Sequence, residues 1–109
     1  MNYTWRITKL GLLDQLNHEG VLHENAVVSV QWKRIAVDTD GTKASYVGNS
    51  EFSAKTVSEE DFVSVNQLTS EQVIGWVKNS ISPKELERID AQINRKIERN
   101  RARKIAPNW

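Results

Sequence analysis

The stretch AVVSVQWKRIAVDTDGTKASYVGNSEFSA, residues 26–54, holds two strand patterns joined by a turn. Apolar residues alternate with polar ones along its first half, as is typical of a β-strand. The residues that share one face there are Val28, Val30, Trp32 and Ala36, with Arg34 interrupting them. Asp40-Gly41 then supplies the positive-φ position that a tight hairpin needs. We therefore predict an antiparallel hairpin with its register set by this turn, and a bulge or bend at Gly48-Asn49.

The N-terminal stretch NYTWRITKLG, residues 2–11, shows the same period of two. Tyr3, Trp5 and Ile7 lie on one side, which predicts another half-buried strand. The following LLDQLNHEGVLHEN, residues 12–25, is polar and contains a glycine. We interpret it as a loop or hairpin connection, so that the strands form an antiparallel meander of three to four strands.

The second half of the chain changes to helical spacing and carries two helix starts. In TSEQVIGWVKNSI, residues 69–81, Thr69 stands three residues before Gln72, which is a capping box. The second start places an N-cap, a proline and a glutamate at Ser82, Pro83 and Glu85. The pattern predicts a long helix from about Pro83 to Arg101. The fold class is therefore α+β, a meander followed by two helices.

The long helix has a narrow apolar stripe of about one residue per turn: Leu86, Ile89, Ile93 and Ile97. Such a stripe fits a helix packed along a single seam, either on its own sheet or against a second subunit. We favour self-association through these four residues. We divide the chain into residues 1–82, the meander and first helix, and an extension of residues 83–109.

Composition excludes several classes of protein. The 109 residues are 39% hydrophobic and 27% charged, and none is cysteine. No apolar run approaches the roughly 20 residues of a membrane span, and the N-terminus does not resemble a secretory signal. The net charge is +1, and the charges are unevenly distributed along the chain. Residues 1–82 hold seven basic and ten acidic residues, whereas residues 83–109 hold eight basic and four acidic residues. We expect a cytosolic protein with its positive charge at one end.

Nothing in the sequence favours an enzyme, a cofactor or a metal. His18 and His23 could contribute to a metal site, but no second ligand cluster completes one, so we interpret both as exposed loop residues. The turn at Asp38 and Asp40 lacks the third carboxylate and the closing glutamate of a calcium loop. Nucleophile, phosphate-loop and zinc-protease motifs are absent from the sequence.

The chain closes with NRKIERNRARKIAPNW, residues 94–109, which allows two interpretations. Its cations could make phosphate contacts, the candidates being Arg99, Arg101, Arg103 and Lys104, or they could be the solvated end of a helix. Trp109 follows the helix and could anchor a protein partner, because one buried indole can dominate an interface.

Five segments together resemble a group of small proteins encoded by tailed bacteriophages, many of them marine. They are YTWRITKLG, ENAVVSVQWKRIAVDTDGT, VIGWVKNSI, ELERIDAQINRKIE and the ending APNW. Asn108 separates Pro107 from Trp109, where that group has the two adjacent. The resemblance implies a phage protein that is made in the bacterial cytoplasm and is incorporated into virions or assembles with them.

From these observations we expect a non-enzymatic structural or assembly protein that acts through protein–protein contacts with itself or other phage proteins. The alternative is a small nucleic-acid-binding accessory protein that uses the basic helix end.

Overall fold

A computed structural model describes residues 1–103 and 105–109 of the chain. It contains three strands, β1 (Asn2–Leu16), β2 (Leu22–Val37) and β3 (Lys43–Glu51), a short 3-10 turn (Val65–Gln67), and two helices, α1 (Ser70–Ser80) and α2 (Pro83–Arg101). The strands are antiparallel and lie in the order β1-β2-β3. The predicted α+β fold, a meander followed by two helices with the second one longer, is confirmed.

The two hairpins differ in regularity. The β2–β3 turn is as predicted: Gly41 has a φ of 86°, and the Asp38 N–H donates to the Thr42 carbonyl over 2.9 Å. Residues 12–25 were predicted to be a loop or a hairpin connection, and the structure has the hairpin: β1 and β2 continue through most of this stretch and pair as far as Leu16 and Leu22. Three register shifts interrupt this pairing. Each shift breaks the alternation that identifies a strand, which is why the sequence pattern is lost there.

Gly48 makes room for a core side chain and does not form a bulge. The β2–β3 register runs without a shift through Gly48, which lies opposite Trp32. A Cβ built at Gly48 would lie 2.2 Å from the Trp32 ring, so only glycine leaves room for the indole. The indole N–H donates to the Ser50 hydroxyl over 3.1 Å. The bulge predicted at Gly48-Asn49 is therefore corrected.

Both predicted helix starts are confirmed. The Thr69 side chain accepts the Gln72 backbone N–H while the Gln72 side chain accepts the Thr69 N–H, which completes the capping box. The Ser82 hydroxyl accepts the Glu85 N–H at the start of α2. Each cap satisfies backbone donors that the first turn of a helix leaves unpaired.

The two helices cover one face of the sheet and leave the other open. The fully or nearly fully buried core residues come from β2 and both helices: Val30, Trp32, Ala36, Val73, Val77, Ile89, Ile93 and Ile97. Trp5 and Trp76 pack against this cluster. Residues 83–101 thus share a core with the rest of the chain. In the part of the chain that the structure describes, no helix combines the length and apolarity needed to cross a membrane.

Candidate interaction surfaces

The apolar stripe of α2 lies inside the domain. Ile93 and Ile97 are 0% exposed and Ile89 is 1% exposed. They contact the core of their own chain, and Leu86 is half-buried beside Trp5 and Arg34. The role in self-association predicted for Leu86, Ile89, Ile93 and Ile97 is therefore corrected for the three isoleucines, which no second subunit can reach. The physical reason is that a three-stranded sheet with an apolar face needs a covering layer, and α2 supplies it.

Polar residues beside the stripe tie α2 to the sheet, which explains why so narrow a stripe suffices. The Tyr3 hydroxyl donates to Asn94 over 3.0 Å. Two contacts reach backbone carbonyls of the outer strand β3: Lys96 Nζ lies 2.8 Å from the Ser45 oxygen, and Asn100 Nδ2 lies 2.9 Å from the Lys43 oxygen. Because β3 is an edge strand, these contacts also cover acceptors that could otherwise pair with another chain.

Arg34 is a cation placed in the apolar layer between α2 and the sheet. Its guanidinium donates to both carboxylate oxygens of Asp90, over 2.7 and 3.2 Å. Its central carbon lies 4.7 Å from the ring centroids of both Tyr3 and Trp5. The ion pair and the aromatic faces together compensate for burying the charge. In the sequence Arg34 only interrupts a strand face, and nothing links it to a partner 56 residues later.

The cations predicted to contact phosphate do not form one group. Arg101 is held by three carboxylates: it hydrogen-bonds Asp38, Asp40 over 3.0 Å and Glu98 over 2.9 Å. Its charge is therefore neutralised, and the phosphate contact predicted for Arg101 is corrected to a tie between the end of α2 and the β2–β3 turn. The Thr42 N–H donates to the Asp40 carboxylate and lowers the pKa of Asp40, which keeps this tie ionised.

The other three predicted phosphate contacts lie in different places. Arg103 is exposed beyond the end of α2, and Lys104 lies outside the described residues. Arg99 lines a cleft that the sequence pattern did not predict. This basic cleft, of about 750 Å³, lies at the β3 edge between α2 and the open sheet face. Its lining residues are Arg6, Lys33, Ile35, Lys43, Ala44, Ser45, Lys96, Arg99 and Asn100.

Five of these nine lining residues are cations and none is acidic. Arg6 and Lys33 stand directly opposite each other on β1 and β2. Like charges at directly opposed positions destabilise a sheet, and a bound anion would relieve the repulsion. The residues come from three strands and a helix, so only the folded chain brings them together. The local basic run of residues 94–109 contains only two of these five cations, Lys96 and Arg99.

The two histidines hydrogen-bond to the loop that follows β3, residues 52–64. A ring N–H of His18 donates to the Lys55 carbonyl, and one of His23 donates to the Val57 carbonyl, each over 2.8 Å. His23 is 2% exposed and stacks on Phe62 with ring centroids 4.2 Å apart. The interpretation of both histidines as exposed loop residues is wrong for His23. Within the described residues, no group of three potential ligands could hold a metal ion.

Beside this loop lies an apolar cavity of about 300 Å³. Its apolar lining comes from β2, the loop and α1: Val27, Phe52, Ala54, Val57, Phe62, Val63 and Trp76. Ser53 and Asp61 are its polar lining residues, and both are exposed. The cavity lies at the end of β3 that is away from the β2–β3 turn, where the Phe52 N–H donates to the Val28 carbonyl.

Exposed apolar side chains gather in two other regions. Four lie on the β1–β2 hairpin, namely Leu12, Leu13, Leu16 and Leu22, and Leu16 stands directly opposite Leu22. Two more lie in the tail, which we define as residues 102–109: Ile105 is 80% exposed and Trp109 is 101% exposed. Of the residues predicted to bind a partner, only Trp109 is fully accessible.

The fold defines a small α+β domain with two helices on one face of a three-stranded meander. The chain belongs to the family described as Domain of unknown function (DUF7936), whose model matches residues 1–109. No curated protein and no solved structure matches the chain.

Proposed function

We propose that this protein is a non-enzymatic structural or assembly protein of a tailed phage, acting in the host cytoplasm or the virion through protein–protein contacts and self-association. The observation that carries the proposal is the exposure of large apolar side chains on the tail and the β1–β2 hairpin, while the core retains enough apolar residues to fold the chain. Large exposed apolar patches on a soluble protein mark interaction sites. The phage context rests on the resemblance of the sequence.

The mass of the full chain in solution tests self-association. Sedimentation at increasing protein concentration is expected to give a mass that rises above the 12.5 kDa of one chain. Because buried apolar surface drives the association, the rise should persist at high salt. A mass that stays at 12.5 kDa over the whole concentration range would contradict self-association.

A second function, binding to nucleic acid, is favoured by one specific observation, the basic cleft. Its five cations come from separate elements and face no acidic lining residue. Phosphate backbones bind to such surfaces by releasing condensed counterions, so the affinity falls steeply with salt. This alternative relocates the phosphate contacts from the helix end, where Arg101 is neutralised, to the sheet.

Binding of the protein to a labelled duplex across a salt series tests this alternative. The double variant Arg6→Glu/Lys33→Glu should reduce the slope of log affinity against log salt by about 2, since each lost phosphate contact removes about 0.9. The matched control is Lys84→Glu/Arg88→Glu, two exposed cations at the start of α2. If charge reversal at Arg103 and Lys104 lowers affinity and the cleft variant does not, the tail is the nucleic-acid site and the cleft is not.

A further inference from the structure

We propose that the tail of one copy of this chain docks into the apolar cavity of a second copy, with Trp109 as the anchoring side chain. The proposal rests on the proposed self-association and names its two contacting surfaces. One surface is the tail, of which residues 102, 103 and 105–109 are exposed, and the other is the cavity between β2, residues 52–63 and α1.

Chemical complementarity favours this pairing. The cavity is lined mainly by aliphatic and aromatic side chains, including Phe52, Phe62 and Trp76, and such surfaces accept an indole. Charge complementarity adds to it. Asp61 lines the cavity, and Glu59 and Glu60 beside it are exposed, whereas the tail carries two cations before its apolar residues. Opposite charges around an apolar contact fix its register and speed the encounter.

The tail and the cavity of one chain are placed well apart along β2. Helix α2 runs along the sheet toward the β2–β3 turn, because Asp90 contacts Arg34 while Arg101 contacts Asp38. The tail therefore leaves at the turn, and the cavity lies near Val27, ten residues back along β2.

The length of the tail can be compared with this distance along the strand. Ten strand residues span about 33 Å. The eight residues from Ala102 to Trp109 span at most about 25 Å between their first and last Cα atoms when fully extended. The tail would also have to reverse its direction to return. The molecule is elongated and measures 71 × 26 × 22 Å. A second copy is therefore the occupant that this geometry favours.

Docking of this kind is head-to-tail, because the two contacting surfaces differ. A head-to-tail contact closes into a ring if the rotation between copies allows it, and otherwise grows into a filament. Each copy in the interior of such an assembly uses both its tail and its cavity. A variant that lacks one of the two surfaces can only terminate growth.

This property allows a complementation experiment with two full-length variants. Trp109→Ala removes the anchor at a fully exposed position and leaves the cavity intact. Ser53→Trp places a large side chain at an exposed cavity-lining position and leaves the tail intact. The matched control is Thr56→Trp, which is exposed in the same loop and is not among the cavity-lining residues. Circular dichroism verifies that every variant is folded before its mass is measured.

We expect wild type and Thr56→Trp to associate alike, and each single variant to lose at least about tenfold in apparent affinity, as for a dominant interface residue. Mixing Trp109→Ala with Ser53→Trp should restore one contact and produce a 1:1 dimer that grows no further. If wild type associates and both variants associate equally well, the tail-to-cavity contact is overturned while the proposed self-association stands. If wild type is monomeric throughout, both fail. If the mixture does not form the dimer although each variant is folded, the pairing of these two surfaces is wrong.

Discussion

Two apolar regions of this chain, the stripe of α2 and the tail beyond it, look alike in the sequence and differ completely in the structure. Both were predicted to contact a partner. The stripe isoleucines are buried against their own sheet, whereas Ile105 and Trp109 are exposed. Spacing reveals which residues share a face but not which surface covers that face. That depends on whether the rest of the chain presents an apolar layer within reach.

The largest expected effect on stability comes from a substitution in the apolar stripe of α2. Ile93→Ala should lower the free energy of unfolding by about 2–5 kcal/mol, because it removes buried methyl groups and leaves a cavity in the core. Urea unfolding followed by tryptophan fluorescence measures this change. The control is Trp109→Ala, expected to shift the free energy of unfolding by less than about 0.5 kcal/mol. Equal effects of the two substitutions would show that the stripe is not the core.

The next effect concerns the buried cation that joins the stripe to the sheet. Asp90→Ala should cost about 2–4 kcal/mol, because it leaves the mostly buried guanidinium of Arg34 without its carboxylate. Chemical denaturation measures it. Glu85→Ala, which removes an exposed ion pair with Arg88 on the same helix, serves as control and should cost less than about 1 kcal/mol. If the two substitutions cost the same, the Arg34 pair behaves as a surface contact.

The fold was largely predictable where a short stretch of sequence specifies a turn or a helix cap. The Asp40-Gly41 turn, the Thr69–Gln72 capping box and the Ser82 cap all form as the sequence indicates. The length of the β1–β2 hairpin was not predicted, because register shifts interrupt the alternation of its strands. The basic cleft and the apolar cavity were missed for another reason. Both combine residues from elements far apart in sequence, and no spacing rule connects them.

A smaller effect is expected at Gly48, a position where the sequence suggested a bulge. Gly48→Ala should destabilise the chain by about 1–3 kcal/mol, because the added methyl forces the Trp32 ring to move. The near-ultraviolet circular dichroism signal of the tryptophans should change with it. Gly75→Ala in α1, where a built Cβ meets nothing within 4 Å, is the control and should not destabilise. A neutral Gly48→Ala would mean that Trp32 does not pack as described.

The smallest effect is expected at Arg101, which lies between the end of the stripe and the start of the tail. Arg101→Gln should fray the last turn of α2, since it removes the contacts with Asp38 and Asp40, and should change global stability little. Amide exchange at residues 98–101 measures the fraying. Because the Thr42 N–H lowers the pKa of Asp40, the Arg101–Asp40 contact should hold at neutral pH and be lost as the pH falls through that lowered pKa. Unchanged exchange in Arg101→Gln would show that the tie is not needed.

The central claim, that one apolar region folds the chain and the other binds a second copy, is tested most directly by hydrogen exchange at increasing protein concentration. We predict that amides of residues 86–97 are protected even in dilute protein. Amides of residues 53–63 and 105–109 should gain protection only as the concentration rises. Protection in α2 that depends on concentration, with no change in the tail or the cavity loop, would contradict the account and make the stripe the subunit interface.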